Sequence, residues 1–147
     1  RIGDELWVPW RRSVDTINQI LAENTDAKVI FGHFDIIGFK LSHTRLSTEG
    51  VDERSFPKDV PVYSGHYHTP QGHGNIQYIG SPYQLTLSEA EDQKQFIVLN
   101  EDYQITETIP INIGRKQFKW TPSELIQRSS ILRTKTESLL LFRNQMA

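Results

Sequence analysis

The sequence predicts an α/β fold that combines a mixed sheet with a C-terminal helix. Three observations predict it. An amphipathic helical segment leads directly into a short apolar run, further apolar runs are separated by turns that contain Gly and Pro, and a helix-start signal stands near the C-terminus. The chain has 147 residues, which fits one domain, or one domain and the start of a second.

The first third of the chain pairs a helix with a strand. Ser13 is a candidate N-cap residue, and the polar residues 24–26 end the helical pattern. Residues 27–31 contain three consecutive apolar side chains, which is typical of a strand buried on both faces. A helix followed by a buried strand is half of a βαβ unit. The apolar face of the helix consists of Val14, Ile17, Ile20 and Leu21.

The pattern of the residues from 32 onward predicts short strands and one helix. Residues 32–59 lack a sustained hydrophobic period and predict a long loop with room for a short helix, and residues 65–74 predict a second loop. Thr121 and Glu124 have the spacing of a capping box, so a helix is expected from Pro122 to Gln145. Strands are expected at 60–64, 75–79, 95–99 and 103–109, the last two as a hairpin.

Charge is distributed unevenly along the chain. Residues 1–114 hold 9 basic and 16 acidic side chains, whereas residues 115–147 hold 7 basic and 2 acidic ones. The basic C-terminal segment is typical either of a solvated helix face or of a surface that contacts phosphate. Packing on its own domain and docking on a partner both remain open for this helix.

Composition excludes several kinds of site. The absence of Cys excludes disulfides, thiolate zinc sites and a Cys nucleophile. No run approaches the ~18 apolar residues of a membrane span, and no Gly-rich phosphate loop with Lys is present. Without a membrane span or a signal peptide, a cytoplasmic protein is expected. The first residue is Arg1 and not Met, so the chain is expected to be a fragment.

Three histidines come directly after predicted strands. Gly32-His33 follows the first strand, and Gly65-His66-Tyr67-His68 follows the second. In open α/β sheets, ligands bind beyond the carboxyl ends of strands, and side chains at i and i+2 of an extended segment point the same way. Neutral imidazole suits Zn, Mn and Fe. The pattern therefore predicts a metal site, with hydrogen-bonded turn histidines as the alternative.

The other candidate donors fall outside this pattern. His43 lies in the long loop and is expected to be exposed to solvent, and His73 is expected to have a loop role. A dinuclear hydrolytic site also needs carboxylates that neutralise two divalent ions. The nearest acids are Asp35 and Asp59, and neither has an Asp-x-His or Gly-Asp spacing.

Together, these motifs resemble the last two motifs of calcineurin-like metallophosphoesterases. The resemblance covers roughly residues 5–110. It is closest to the DNA-repair nuclease branch of the family in two stretches, residues 75–85 and 91–99. That branch contains SbcD-type exonuclease subunits and phage recombination endonuclease subunits. The resemblance implies an incomplete four-layer αββα sandwich, with two divalent metal ions, most often Mn²⁺, at the strand ends.

The resemblance also implies a domain division and a set of ligands. Residues 1–112 would form the distal half of the metallophosphoesterase domain, and residues 113–147 would form a linker and the helix that starts the next region. His33 and His66 would ligate one ion and His68 the other. The remaining ligands and the general acid belong to motifs that this chain lacks. No catalytic residue is therefore assigned, and the chain alone is expected to be inactive.

Members of this branch cut DNA together with an SMC-like ATPase subunit of the SbcC type. The resemblance therefore implies DNA and such an ATPase as partners. It leaves open whether the protein also forms a homodimer. Lys40 and Arg45, in the long loop after the first strand, are the candidate DNA-binding residues. Two alternatives remain. One is a phosphatase or small-phosphodiester hydrolase of the same superfamily, and the other is a non-catalytic module that binds DNA or a partner.

Overall fold

The computed structural model describes residues 1–114 and 116–132. Within these ranges the chain adopts a mixed α/β fold, as predicted. Short 3-10 turns occupy Glu53–Ser55 and Leu87–Glu89. In chain order the main elements are β1 (Glu5–Val8), α1 (Val14–Glu23), β2 (Val29–Gly32), β3 (Lys40–Ser42), β4 (Arg45–Leu46), β5 (Val62–Ser64), β6 (Gln71–His73), β7 (Ile76–Tyr78), β8 (Lys94–Leu99), β9 (Ile105–Ile111) and α2 (Pro122–Leu132).

The central sheet has the strand order β1-β2-β5-β7-β6. The first four strands are parallel, and β6 pairs with β7 in the antiparallel direction. The crossover β1-α1-β2 completes the βαβ unit of which the sequence indicated only half. Because β2 and β5 are parallel neighbours, the residues that follow them emerge at the same edge of the sheet.

Helix α1 forms where its capping signals predict it. Ser13 Oγ accepts a hydrogen bond from the backbone N–H of Thr16 at 3.2 Å, and the Asn24 side chain donates to the Ile20 carbonyl at 2.8 Å. Ile17 and Leu21 are buried. The apolar face of α1 packs in one hydrophobic core together with side chains of the sheet and of the segment that follows β2. That core includes Leu6, Val8, Ile30, Phe34, Ile36, Val51, Phe56, Val62, Tyr67, Ile76 and Tyr78.

The opposite face of the sheet carries a row of aromatic rings. Trp7, Phe31 and Tyr63 are register partners on three adjacent strands. Their rings stack with centroid distances of 4.4 and 5.7 Å. The Tyr63 hydroxyl donates to the carbonyl of Tyr103 at 2.7 Å, which ties the turn of the β8–β9 hairpin to the central sheet.

The two predicted loops contain more structure than expected. Residues 32–59 include the β3–β4 hairpin, the 3-10 turn and a bridge between Ile36 and Val51, and residues 65–74 include β6. The Gln71 side chain pairs with the backbone of Lys40, accepting from its N–H at 2.7 Å and donating to its carbonyl at 2.8 Å. Such long-range partners define these short polar strands, which have no hydrophobic period of their own.

The C-terminal part contains the predicted elements as far as it is described, although β9 begins and ends two residues later than the predicted 103–109. β8 and β9 form the expected hairpin. Thr121 and Glu124 form the capping box of α2, since the Thr121 N–H donates to Glu124 Oε2 at 2.7 Å and the Glu124 N–H donates to Thr121 Oγ1 at 3.3 Å. The predicted extension of this helix to Gln145 lies outside the described residues. Neither helix, over its described length, is long and apolar enough to cross a membrane.

Candidate metal centre

Two histidines meet at the carboxyl edge of the central sheet. His33 follows β2, and His66 follows β5 after one intervening residue. Their imidazole centroids lie 5.2 Å apart, with the ring planes inclined by 80°. The parallel pairing of β2 with β5 therefore brings together two side chains that are 33 residues apart in the sequence.

The backbone between these histidines is shaped for a close approach. A Cβ atom at Gly65 would lie 2.8 Å from Nδ1 of His33, so a larger residue would displace that ring. His66 has a φ of +88°, a value that side-chain-bearing residues rarely adopt. Strained backbone of this kind is concentrated at functional sites.

A carboxylate faces the histidine pair. Asp35 Oδ2 lies 4.0 Å from Nε2 of His66. The other carboxylate oxygen, Oδ1, accepts hydrogen bonds from the Tyr67 hydroxyl and from Ser47 Oγ, the latter at 2.9 Å. These two donors orient the Asp35 side chain so that Oδ2 is directed toward the His66 imidazole.

The surroundings of His33 favour its neutral form. Burial lowers the pKa of His33, and the nearby imidazoles of His66 and His68 lower it further. The two effects have different causes: burial leaves a protonated His33 poorly solvated, and the neighbouring imidazoles can repel its positive charge. Neutral imidazole is the form that binds metal ions.

His68 is oriented by a different contact. Its Nδ1 lies 3.1 Å from Oε1 of Glu89, whose side chain is only 5% exposed. The backbone carbonyl of His68 accepts a hydrogen bond from Nζ of Lys94 at 2.7 Å. Both the ring and the main chain of this residue are therefore held by charged side chains from the 3-10 turn at residues 87–89 and from the first position of β8.

Glu89, Asp92 and Lys94 form what we call the ionic cluster. Their side chains are 5%, 2% and 3% exposed. Lys94 Nζ lies 2.7 Å from Glu89 Oε2 and 3.3 Å from Asp92 Oδ2. Buried charges are tolerated only when they are paired and hydrogen-bonded, and each member of this cluster meets that condition.

The ionic cluster keeps Glu89 ionised. Burial by itself raises the pKa of this carboxyl group, but hydrogen bonds from Lys94, Thr86 and His68 outweigh burial and hold the pKa at about 2. The Thr86 hydroxyl and backbone N–H donate to Glu89 Oε1 at 2.8 and 3.1 Å. Glu89 is therefore a hydrogen-bond acceptor across the physiological pH range.

The β3–β4 hairpin reaches the same cluster. Nε2 of His43 lies 3.0 Å from Asp92 Oδ1. His43 is exposed, as expected, but the hairpin folds back and pairs its ring with a carboxylate whose side chain is buried. Lys40 and Arg45, the candidate DNA-binding residues, lie exposed on this hairpin. His73 ends β6 instead of lying in a loop, and its Nδ1 lies 3.0 Å from Glu53.

The donor types at this edge fit a divalent metal ion. Imidazole nitrogens and a carboxylate are ordinary ligands for Zn, Mn and Fe. Within residues 1–114 and 116–132, however, no group of three or more His, Asp and Glu side chains is arranged to hold a metal ion by itself. The described chain presents His33 and His66 as a pair, with His68 turned toward Glu89, and a full coordination shell needs further donors.

Sequence reasoning missed the ionic cluster and gave no role to Asp35. Charged side chains are normally expected at the surface, so hydropathy gives no warning of a buried Lys or Glu. Two weak signals were present. Thr86 and Glu89 have the same capping-box spacing as Thr121 and Glu124, and Lys94 directly precedes an apolar strand segment at the end of an acidic run.

Comparison with known proteins finds a similarity to a phage protein. The chain is 29% identical over 107 residues to exonuclease subunit 1 of Enterobacteria phage T4. The matched region makes up 71% of this chain but 31% of the phage protein, so the chain spans about a third of the length of the relative that it matches. No family model matches the chain. The similarity relates the chain to nuclease subunits.

Proposed function

We propose that this chain is part of a metal-dependent DNA nuclease subunit of the metallophosphoesterase type. The observation that carries the proposal is the juxtaposition of His33 and His66 at one edge of the sheet, with imidazole centroids 5.2 Å apart. The similarity to a phage protein named as an exonuclease subunit supports the DNA phosphodiester bond as the substrate. The activity proposed is that of the whole protein, to which this chain contributes one set of donors.

In this proposal His33 and His66 hold one divalent ion and His68 holds a second, with Mn²⁺ as the expected metal. When bound, such ions polarise the scissile phosphate and supply hydroxide at neutral pH. The chain's own residues provide neutral donor atoms and their orientation. Asp35 faces the His66 ring, and no residue of this chain is assigned as the general acid.

The test uses the product of the complete reading frame that encodes this chain. We expect Mn²⁺-dependent cleavage of linear duplex DNA, abolished by EDTA and restored by Mn²⁺. His33→Ala and His66→Ala should each lower the cleavage rate by at least ~100-fold, because even residues that only support metal ligands cost 10- to 100-fold when replaced. His73→Ala is the matched control, since it removes an exposed imidazole from the end of β6 and should leave the rate nearly unchanged.

The same preparation distinguishes the alternatives. Rapid hydrolysis of bis-p-nitrophenyl phosphate without DNA cleavage would favour a small-phosphodiester hydrolase and contradict the nuclease proposal. DNA binding without hydrolysis of either substrate, and without loss of Mn²⁺ uptake in His66→Ala, would favour a binding module.

The β3–β4 hairpin is proposed to contact DNA through Lys40 and Arg45. Support comes from the pairing of His43 with Asp92, which holds this hairpin beside the residues that orient His68. Replacing both basic residues with Ala should weaken DNA binding and reduce the slope of log K against log salt by about 2, since each phosphate contact contributes ~0.9.

Lys28 and Lys58 provide the matched double control for the hairpin. Both are exposed and precede β2 and β5, so they lie toward the opposite edge of the parallel strands. Replacing these two with Ala removes the same charge, but the salt slope should stay close to that of the unmodified protein. An equal loss in the control would mean that net charge, not the hairpin, governs binding.

A partner subunit is the last part of the proposal. The phage relative is named as a subunit, which supports action within a multi-subunit complex. We extend this to an SMC-like ATPase of the SbcC type as the proposed partner, because the motifs at residues 75–85 and 91–99 resemble the branch that works with such an ATPase.

A further inference from the structure

The contact between His68 and Glu89 determines which ring nitrogen carries the proton. His68 Nδ1 and Glu89 Oε1 lie 3.1 Å apart. Two groups that can only donate point at the other oxygen, Oε2: the Lys94 ammonium at 2.7 Å and the Leu85 backbone N–H at 3.3 Å. Oε1 itself already accepts from the Thr86 backbone N–H at 3.1 Å. The carboxylate is therefore surrounded by donors and acts only as an acceptor.

An acceptor-only carboxylate requires a donor on the imidazole. Nδ1 of His68 must carry the hydrogen, because a lone pair there would face the lone pairs of Glu89 Oε1. In the neutral ring the lone pair then belongs to Nε2. Metal-ligating histidines commonly donate the hydrogen of the other ring nitrogen to a carboxylate, which fixes both the tautomer and the ring orientation.

The main chain of His68 is held by the same cluster. Lys94 donates to the His68 carbonyl at 2.7 Å and to Glu89 at 2.7 Å. One ammonium group thus connects the backbone of residue 68 to the carboxylate that holds its ring. With both ends of the residue fixed, the ring has little freedom to rotate away.

We propose that Glu89 is a positioning residue for His68 and that, supported by Lys94, it holds the imidazole in the tautomer that leaves the Nε2 lone pair available at the sheet edge. The proposal rests on the proposed function only where it treats His68 as a metal ligand. The tautomer itself is a property of the metal-free protein and can be measured without any assay of activity.

The experiment is ¹⁵N NMR of the imidazoles in the ¹⁵N-histidine-labelled product of the complete reading frame, with EDTA at pH 8. The His68 signals are assigned by their loss in His68→Gln. We expect a protonated Nδ1 and an unprotonated Nε2 in the unmodified protein. In Glu89→Gln the charged Lys94 ammonium and the Leu85 N–H keep the amide oxygen at the Oε2 position, which outweighs the Thr86 N–H at the other position. The NH₂ group then faces His68, and the pattern should invert to a protonated Nε2.

Asp92→Asn is the matched control. It also neutralises a buried carboxylate that contacts Lys94, but its partners are His43 and Thr69, not the ring of His68. The His68 pattern should therefore persist in this variant. A protonated Nε2 in the unmodified protein would overturn the proposal even if Glu89→Gln failed to fold. An unchanged pattern in Glu89→Gln, or an equal change in both variants, would overturn it as well.

Calorimetric titration with Mn²⁺ separates this proposal from the proposed function. Glu89→Gln should bind Mn²⁺ about 10- to 100-fold more weakly than the unmodified protein, whereas Asp92→Asn should bind it nearly as well. If the unmodified protein shows the expected tautomer but takes up no Mn²⁺, the metal-dependent function fails while the positioning of His68 by Glu89 is supported.

Discussion

Replacing Lys94 with Met is expected to lower the free energy of unfolding by about 4 kcal/mol, since removing one partner of a buried ion pair typically costs 3–5 kcal/mol. The substitution keeps most of the side-chain volume but leaves Glu89 and Asp92 buried without their shared cation. It also removes the donor to the His68 carbonyl. Urea unfolding followed by tryptophan fluorescence measures the loss.

Lys28→Met is the control for this substitution. Lys28 Nζ lies 2.6 Å from Asp4 Oδ2, but these side chains are 68% and 48% exposed. The same chemical change should cost far less there, because exposed ion pairs contribute little to stability. Equal effects at the two sites would contradict the claim that burial makes the ionic cluster important.

The cost of losing Lys94 should also depend on pH. The folded-state pKa of Glu89, at about 2, lies below the ordinary value of 4.5. The stabilisation that this carboxylate provides is therefore fully present above pH 4.5 and is lost as the pH falls toward 2. The difference in stability between the unmodified protein and Lys94→Met should accordingly narrow below pH 4.5.

Gly50→Ala is expected to destabilise the protein by about 3 kcal/mol through steric overlap and backbone strain together. Gly50 has a φ of +118°, and a Cβ atom there would collide with the backbone carbonyl oxygen of Asp35. That oxygen accepts a hydrogen bond from the N–H of Val51 at 2.8 Å. The substitution should therefore also displace Asp35 from its position opposite His66. Urea unfolding measures the first effect.

Gly38→Ala separates the contribution of backbone strain from that of steric overlap. Gly38 also has a positive φ, +89°, but nothing lies within 4 Å of its Cβ position. Only backbone strain applies there, so the expected loss is about 1 kcal/mol. If both variants lost the same stability, the overlap with Asp35 would have no energetic consequence.

The parts of the fold that the sequence predicts are those whose signals are local. The Ser13 cap, the apolar face of α1, the capping box at Thr121 and the strands β2, β5, β7, β8 and β9 each depend on neighbouring residues, and the structure contains all of them. Strand β1 was missed because it spans only four residues directly before Pro9, and β3, β4 and β6 were missed because they are short and mostly polar. Their positions depend on partners such as Gln71, which pairs with the backbone of Lys40.

The candidate site also contains some features that the sequence predicts and others that it does not. The positions of His33 and His66 directly after strands are visible in the sequence, and parallel pairing then accounts for their meeting. The roles of Glu89 and Lys94 could not be predicted, because they depend on burial and on contacts with a residue 21 to 26 positions away. The capping-box spacing of Thr86 and Glu89 indicates a turn, but it does not distinguish a buried ion pair from ordinary surface charges.

The ionic cluster also has a consequence for the lifetime of the folded protein. Its contacts with His68 join residues that are 21 and 26 positions apart, and they need the turn after β5 and the start of β8 to be in place together. We expect contacts of this kind to form late in folding, because they require two separate segments of the chain to be ordered first. Interactions that are absent from the folding transition state act mainly by slowing unfolding. The cluster should therefore lower the unfolding rate of the protein and lengthen the time for which the sheet edge stays folded.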